Sequence, residues 1–168
     1  MDAEQLRMIQ APLKARYRTE PAAAMVTLTA QGHLGAGVTC KVETGKALIE
    51  AGLHPATGGD GFTVCSGDML LEALVACAGV TLRAVATAIG VVVRNGTVTA
   101  EGDLDFRGTL GVSKEVPVGF QSIRLRFQLD TDASPEQLEA LIRLTERYCV
   151  VYQTLRQALD LTMAYSIM

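Results

Sequence analysis

Four cysteines, Cys40, Cys65, Cys77 and Cys149, are the residues of this chain best suited to chemistry. A thiolate is both a nucleophile and a metal ligand, so spacing has to separate the two uses. No pair forms a C-x-x-C, and neither His33 nor His54 stands at a metal spacing from a cysteine. The usual zinc patterns are therefore excluded, no metal or cofactor is expected, and nucleophilic or redox thiol chemistry is left. Cys77 lies in Ala76-Cys77-Ala78-Gly79, inside an apolar stretch, where a cysteine is ordinarily a small core residue. Gly79 is odd there, because a mid-helix glycine costs about 1 kcal/mol against Ala. It suggests close approach of a backbone or a ligand to the thiol. Cys149 follows Arg147-Tyr148 at the expected junction of two helical segments. A helix starting there would stabilise a thiolate; the alternative is a packed thiol. Cys40 alternates with Val38 and Val42 as on a strand, and Cys65 stands just before the apolar stretch.

The elements that must position these thiols follow from periodicity. Asp2 to Gln10 is a short candidate helix. Lys14 to Thr19, Met25 to Gln31, Gly37 to Val42 and Lys46 to Ile49 read as strands. Gly52 to Ser66 is a loop; its Gly58-Gly59-Asp60-Gly61 lacks the lysine and the strand–loop–helix setting of a phosphate cradle. From Met69 to Gly90 runs a helix apolar on nearly every side, with Ser66 as N-cap, Asp68 in its first turn and Gly90 as its stop. Such a helix demands cover all round. Val91 to Arg107 returns to strand chemistry, with a hairpin signal at Asn95-Gly96. After a loop to Gly119, Phe120 to Leu129 places Ile123, Leu125, Phe127 and Leu129 on one face and Arg124, Arg126 and Gln128 on the other. Ser134-Pro135-Glu136-Gln137 opens a helix with a capping box, and Leu138, Leu141, Ile142 and Tyr148 give it a core stripe. A break near Arg147 to Val151, a third helix to about Leu159 and a closing strand from Leu161 to Met168 complete the chain. Strands and helices do not alternate, which makes the class α+β in one domain, residues 1–168.

Bulk composition narrows the function. The net charge is −3 and no Lys/Arg cluster occurs, against nucleic acid and against an anionic membrane surface. The N-terminal MDAEQLRMIQ has no apolar signal core, and Glu72 and Arg83 interrupt the one long apolar segment. A cytoplasmic protein with free thiols and no membrane partner is expected. With 5% aromatic residues and no Trp, the core has to come from Val, Leu, Ile and Ala.

Ser66-Gly67-Asp68-Met69-Leu70-Leu71-Glu72-Ala73-Leu74-Val75-Ala76-Cys77 resembles, without a gap, the first cysteine motif of the OsmC/Ohr family (osmotically inducible protein C and organic hydroperoxide resistance protein). Glu146-Arg147-Tyr148-Cys149-Val150-Val151-Tyr152 resembles the second, and the element order agrees from about Arg16 onward. The chain departs from the pattern in three places. Ser66 stands for a proline, Gly67 for a glutamate and Val150 for the proline after the second cysteine. The resemblance implies an OsmC-like fold, antiparallel sheets wrapped around two central helices, in an intertwined homodimer. It implies a peroxidase that reduces organic hydroperoxides, with Cys77 attacking, Cys149 resolving and a dithiol reductant regenerating both. Arg18 is the candidate for the family's catalytic arginine and Arg16 the next; Cys65 is a bystander or an alternative resolving thiol. The competing expectation is an OsmC-like binding or stress protein that has lost peroxidase activity and holds an apolar ligand.

Overall fold

The computed structural model describes residues 2–5, 7–8, 10–11, 19, 31–34, 39–43, 48–111 and 113–167. The expected strands over 14–19 and 25–31 lie outside this set, except Thr19, which is helical, and Gln31, which opens the first described strand. Near the N-terminus, residues 3–5, 7–8 and 10–11 are helical, and Asp2 and Gln5 cap each other's N–H groups at 3.0 and 2.8 Å.

Strands β1 (Gln31–Leu34), β2 (Thr39–Glu43) and β3 (Leu48–Gly52) form an antiparallel meander. Residues Val64–Cys65, as β4, add a short parallel pairing to β3 that the sequence did not announce. Helix α1, Ser66–Ile89, follows directly. Its N-cap is Cys65 rather than Ser66, because Cys65 already holds the extended backbone of β4. Gly90 ends it as expected, with φ 74° and its N–H on the Ala86 carbonyl; that left-handed conformation is why a glycine stands there.

Strand β5 (Asn95–Leu104) pairs antiparallel with β6 (Phe120–Asp130) and covers α1. The single helical turn α2 (Phe106–Thr109) lies in the connection between them. The alternation along β6 holds, with Ile123, Leu125, Phe127 and Leu129 half-buried and the arginines between them exposed. Asn95-Gly96, however, is not a hairpin turn. It opens β5, with Asn95 opposite Asp130 and Gly96 opposite Leu129. A Cβ on Gly96 would lie 2.7 Å from the Gln128 carbonyl oxygen, so this glycine answers close approach of the neighbouring strand. Residues 91–94 belong to no strand and are tied down by Arg83 Nη1 to the Val93 carbonyl (2.5 Å), Thr131 Oγ1 to the Val92 carbonyl (2.6 Å) and the Arg94 N–H to the Asp130 carbonyl (2.9 Å).

Helix α3 (Pro135–Tyr148) starts with the expected capping box. Ser134 Oγ accepts the Gln137 N–H at 3.3 Å, and Gln137 Oε1 accepts the Ser134 N–H at 2.9 Å. Helix α4 (Val150–Arg156) is shorter than expected, and residues 157–167 run on without strand pairing. The expected closing strand is therefore not formed among the described residues.

Leu82, Val85 and Ala86 of α1, Val91, Val93 and Leu141 of α3 form the buried core, edged by Phe127, Leu129 and Leu144. The opposite side of α1 is open: Val80 is 72% exposed, and only 22% of the helix's most apolar 18-residue stretch is buried. The helix is long and apolar enough to cross a bilayer by length alone, yet it packs on α3, α4 and β5. Among the described residues, burial all round is not reached. Because Leu141 is fully buried between α1 and α3, Leu141→Ala should cost about 2–5 kcal/mol of unfolding free energy, measured by chemical denaturation at fixed protein concentration.

Candidate functional site

Cys77 stands midway along α1 and faces the junction of α3 and α4. Cys149 is the junction residue: its N–H caps α3 on the Thr145 carbonyl (2.9 Å), and its carbonyl accepts the Gln153 N–H of α4 (2.9 Å). Its backbone is extended (φ −73°, ψ 108°), which is what separates the two helices. Its side chain is 1% exposed, whereas Cys77 is half-buried. The two sulfurs are within hydrogen-bond reach of each other.

The environment pushes the two thiols apart. Burial alone would raise Cys77, but the Val151 N–H, the Cys149 thiol, the Thr81 hydroxyl and the Val150 N–H all donate to its sulfur and bring the pKa below the ordinary thiol value. Cys149 moves up, chiefly through burial and further through the negative charge on Cys77, although the Tyr152 N–H offsets part of this. When such a pair gives up its first proton, the charge falls on Cys77 and the remaining proton on Cys149. That is the polarisation a nucleophile and a waiting partner require.

A cavity of about 140 Å³ adjoins Cys149, lined by Ala78, Leu125, Phe127, Ile142 and Tyr152 among others. The phenol of Tyr152 is pushed up by burial and by the nearby Glu146 charge. Glu146 is ion-paired with Arg156.

The sequence placed both cysteines of the pair on the right elements, and the structure brings them together. Arg18 and Arg16 lie outside the described residues. Cys65 is twelve residues before Cys77, about 18 Å along a helix, beyond the roughly 7 Å Cα separation a disulfide tolerates. It cannot resolve Cys77 within the same chain. Position 67 is similarly remote, about 15 Å along the helix. Gly67 instead faces Phe120 and the Cys65 sulfur, so an acid there would not reach its own chain's Cys77. Gly79 does not admit a close backbone either, since a Cβ would make ordinary contact with Val98 at 3.7 Å. The donors on Cys77 were missed. Thr81 was findable, being one helical turn beyond Cys77; the amides of Val150 and Val151 carry no side-chain signal.

The sequence pattern of the family described as OsmC-like protein matches residues 58–164. No curated protein matches the chain in sequence. Among solved structures, an OsmC-like protein from Mycoplasma pneumoniae superposes with a TM-score of 0.66 at 15% identity, covering 78% of this chain and 88% of that one. An organic hydroperoxide resistance protein from Elizabethkingia anophelis gives 0.63 at 16%, covering 79% and 90%. The organic hydroperoxide resistance protein OsmC of Legionella pneumophila gives 0.62 at 20%, covering 79% and 91%. At these identities the likeness shows the fold.

The polarised pair makes one direct prediction. At pH 7, Cys77 should alkylate before Cys65 and before Cys149, as mapped by mass spectrometry after brief iodoacetamide treatment. Its thiolate, and with it the rate, should persist below the pH at which an ordinary thiol becomes unreactive. It should be lost only as pH falls through the lowered Cys77 pKa. First labelling at Cys149 would reverse the assignment.

Proposed function

The chain belongs to the OsmC-like protein family, and on that premise we propose that it is a cytoplasmic thiol peroxidase that reduces organic hydroperoxides to alcohols. The observation that carries this is the polarised contact of Cys77 with Cys149. The Cys77 thiolate attacks the distal oxygen of the hydroperoxide, the O–O bond breaks, and sulfur is oxidised to the sulfenic acid. The alkoxide leaves and takes a proton, for which the Cys149 thiol is the adjacent source. Loss of that proton turns Cys149 into a thiolate, which attacks the Cys77 sulfur, closes a disulfide and expels hydroxide, which takes a proton from solvent and leaves as water. An external dithiol reduces the disulfide and resets the pair. Arg18 is our candidate for a cation near the reacting oxygens. The apolar cavity beside Cys149 favours a substrate with a hydrocarbon group over hydrogen peroxide.

The working unit of this reading is a homodimer, as is typical of the family. Two surfaces of the single chain support it. One is the open apolar side of α1 around Val80. The other is the unpaired tail, where Leu161, Met163, Tyr165 and Ile167 alternate as on a strand yet are each at least 91% exposed. Apolar surface on this scale marks an interface. Light scattering at micromolar concentration should give twice the 17.9 kDa chain mass; a monomer would overturn this part of the reading.

The two cysteines have separable roles. Cys77→Ser should abolish hydroperoxide consumption. Cys149→Ser should still turn over once and stop at a sulfenic acid on Cys77, over-oxidised by excess peroxide. One equivalent of an organic hydroperoxide should join Cys77 to Cys149 in the wild type, as read by peptide mapping. Neither disulfide nor sulfenic acid would remove the peroxidase and leave a binding protein with an apolar cavity.

A further inference from the structure

The break between α3 and α4 has no evident cause in its own residues. Kinks of this size ordinarily trace to a proline, a glycine or serine pair, or a side chain inserted into the hydrogen-bond ladder. The run Thr145-Glu146-Arg147-Tyr148-Cys149-Val150-Val151-Tyr152-Gln153 contains no proline, glycine or serine. The inserted group is Gln153. Its Nε2 donates to the Glu146 carbonyl at 2.8 Å, seven residues back. In an unbroken helix that carbonyl would accept the Val150 N–H, by the ordinary i to i−4 pairing. With Glu146 already satisfied, the Val150 N–H is free of that carbonyl, and it is among the groups that lower the Cys77 pKa.

We propose that Gln153 is a positioning residue whose side-chain amide, by occupying the Glu146 carbonyl, keeps the helix broken at Cys149 and holds the Val150 and Val151 N–H groups on the Cys77 sulfur. The proposal rests on the reading of Cys77 as the reactive thiol. Its logic is one of competition. Remove the amide, and the Glu146 carbonyl is left half-buried without its partner, a situation that costs free energy until another donor arrives. The nearest donor in sequence and geometry is the Val150 N–H. Recapturing it would continue α3 through Cys149 and swing the amides off Cys77. Val150 matters here because a proline would enforce the break by its ring but would carry no N–H to donate.

Among the described residues, the ionisable groups around the Cys77 sulfur are Cys149 at the break and Tyr152 on α4, with the Glu146–Arg156 pair beyond Tyr152. The Thr81 hydroxyl faces it from α1, and Val98 of β5 lies across Gly79. Tyr152 is shifted upward, so its phenol stays neutral over the range in which Cys77 titrates.

The test compares Gln153→Met, which keeps length and removes the donor, with the double variant Val150→Pro/Gln153→Met, in which proline enforces the break. The readout is the pH profile of Cys77 alkylation by iodoacetamide. Gln153→Met should slow alkylation about tenfold at pH 7 with rates converging at high pH, an upward shift of about one unit in the Cys77 pKa. The double variant should recover much of the loss through the Val151 N–H. A Gln153→Met profile that superimposes on the wild type overturns the proposal, as does a double variant shifted as far as the single one. Should Gln153→Met fail to fold, the double variant decides: a folded protein with a reactive Cys77 supports the role, and a second failure overturns it. Alkylation reads the thiol without any peroxide. A shifted profile in a protein that consumes no hydroperoxide would therefore keep the positioning role and remove the peroxidase.

Discussion

A 24-residue helix that is apolar on nearly every face has to be covered, and the rest of this structure is arranged around that requirement. The β5–β6 hairpin lies against one side and α3 with α4 against another, so that Leu74, Ala78, Leu82, Val85 and Ala86 are buried. Burial also governs the chemistry. Cys77 sits on this helix, where an apolar setting would leave a thiol protonated and inert. What lowers its pKa instead is that the element packed across it is interrupted at that point, and an interrupted helix exposes N–H groups.

The balance at the sulfur is therefore between desolvation and donors. Desolvation acts on both cysteines and is the largest influence on each. What separates them is the number of donors each meets. Cys77 receives two backbone N–H groups, a hydroxyl and a thiol. Cys149, almost fully enclosed, receives fewer and faces the charge on Cys77. Once one proton has left the pair, the other stays on Cys149. The same contact that lowers the Cys77 pKa raises that of Cys149, so the two opposite shifts are a single consequence of one geometry.

Much of this was legible in the sequence because it was written in side-chain periodicity. The alternation along β6, the capping box at Ser134-Pro135-Glu136-Gln137 and the glycine stop at Gly90 all signal through local chemistry, and each was found where expected. The pair Cys77 and Cys149 was legible only through the two motifs, since neither residue alone distinguishes a reactive thiol from a packed one. Asn95-Gly96 misled because a glycine serves two purposes. Here it admits a neighbouring strand at close range and makes no turn. The tail from Leu161 onward has the alternation of a strand but pairs with none of the described strands, and a period-2 pattern reports the wish for a sheet without saying whose sheet it is.

Backbone donors are the part no sequence pattern displays. Every residue but proline carries an N–H, so the ones that matter are selected by which carbonyls release them. At this site the selection passes through one side chain. Gln153 would read as an ordinary polar helix residue, yet its amide reaches back along the axis and satisfies the Glu146 carbonyl at 2.8 Å. That bond is worth about 1 kcal/mol in net stability, as side-chain hydrogen bonds generally are. Its leverage is larger than its strength, because the alternative partner for that carbonyl is an N–H already committed to the sulfur. Two arrangements of the same groups then compete, a continuous helix with a poorly supported thiolate and a broken one with a supported thiolate. The broken form is favoured by the side-chain bond and by the charge it serves. The charge contributes more as pH rises and Cys77 ionises, so the break and the thiolate stabilise each other.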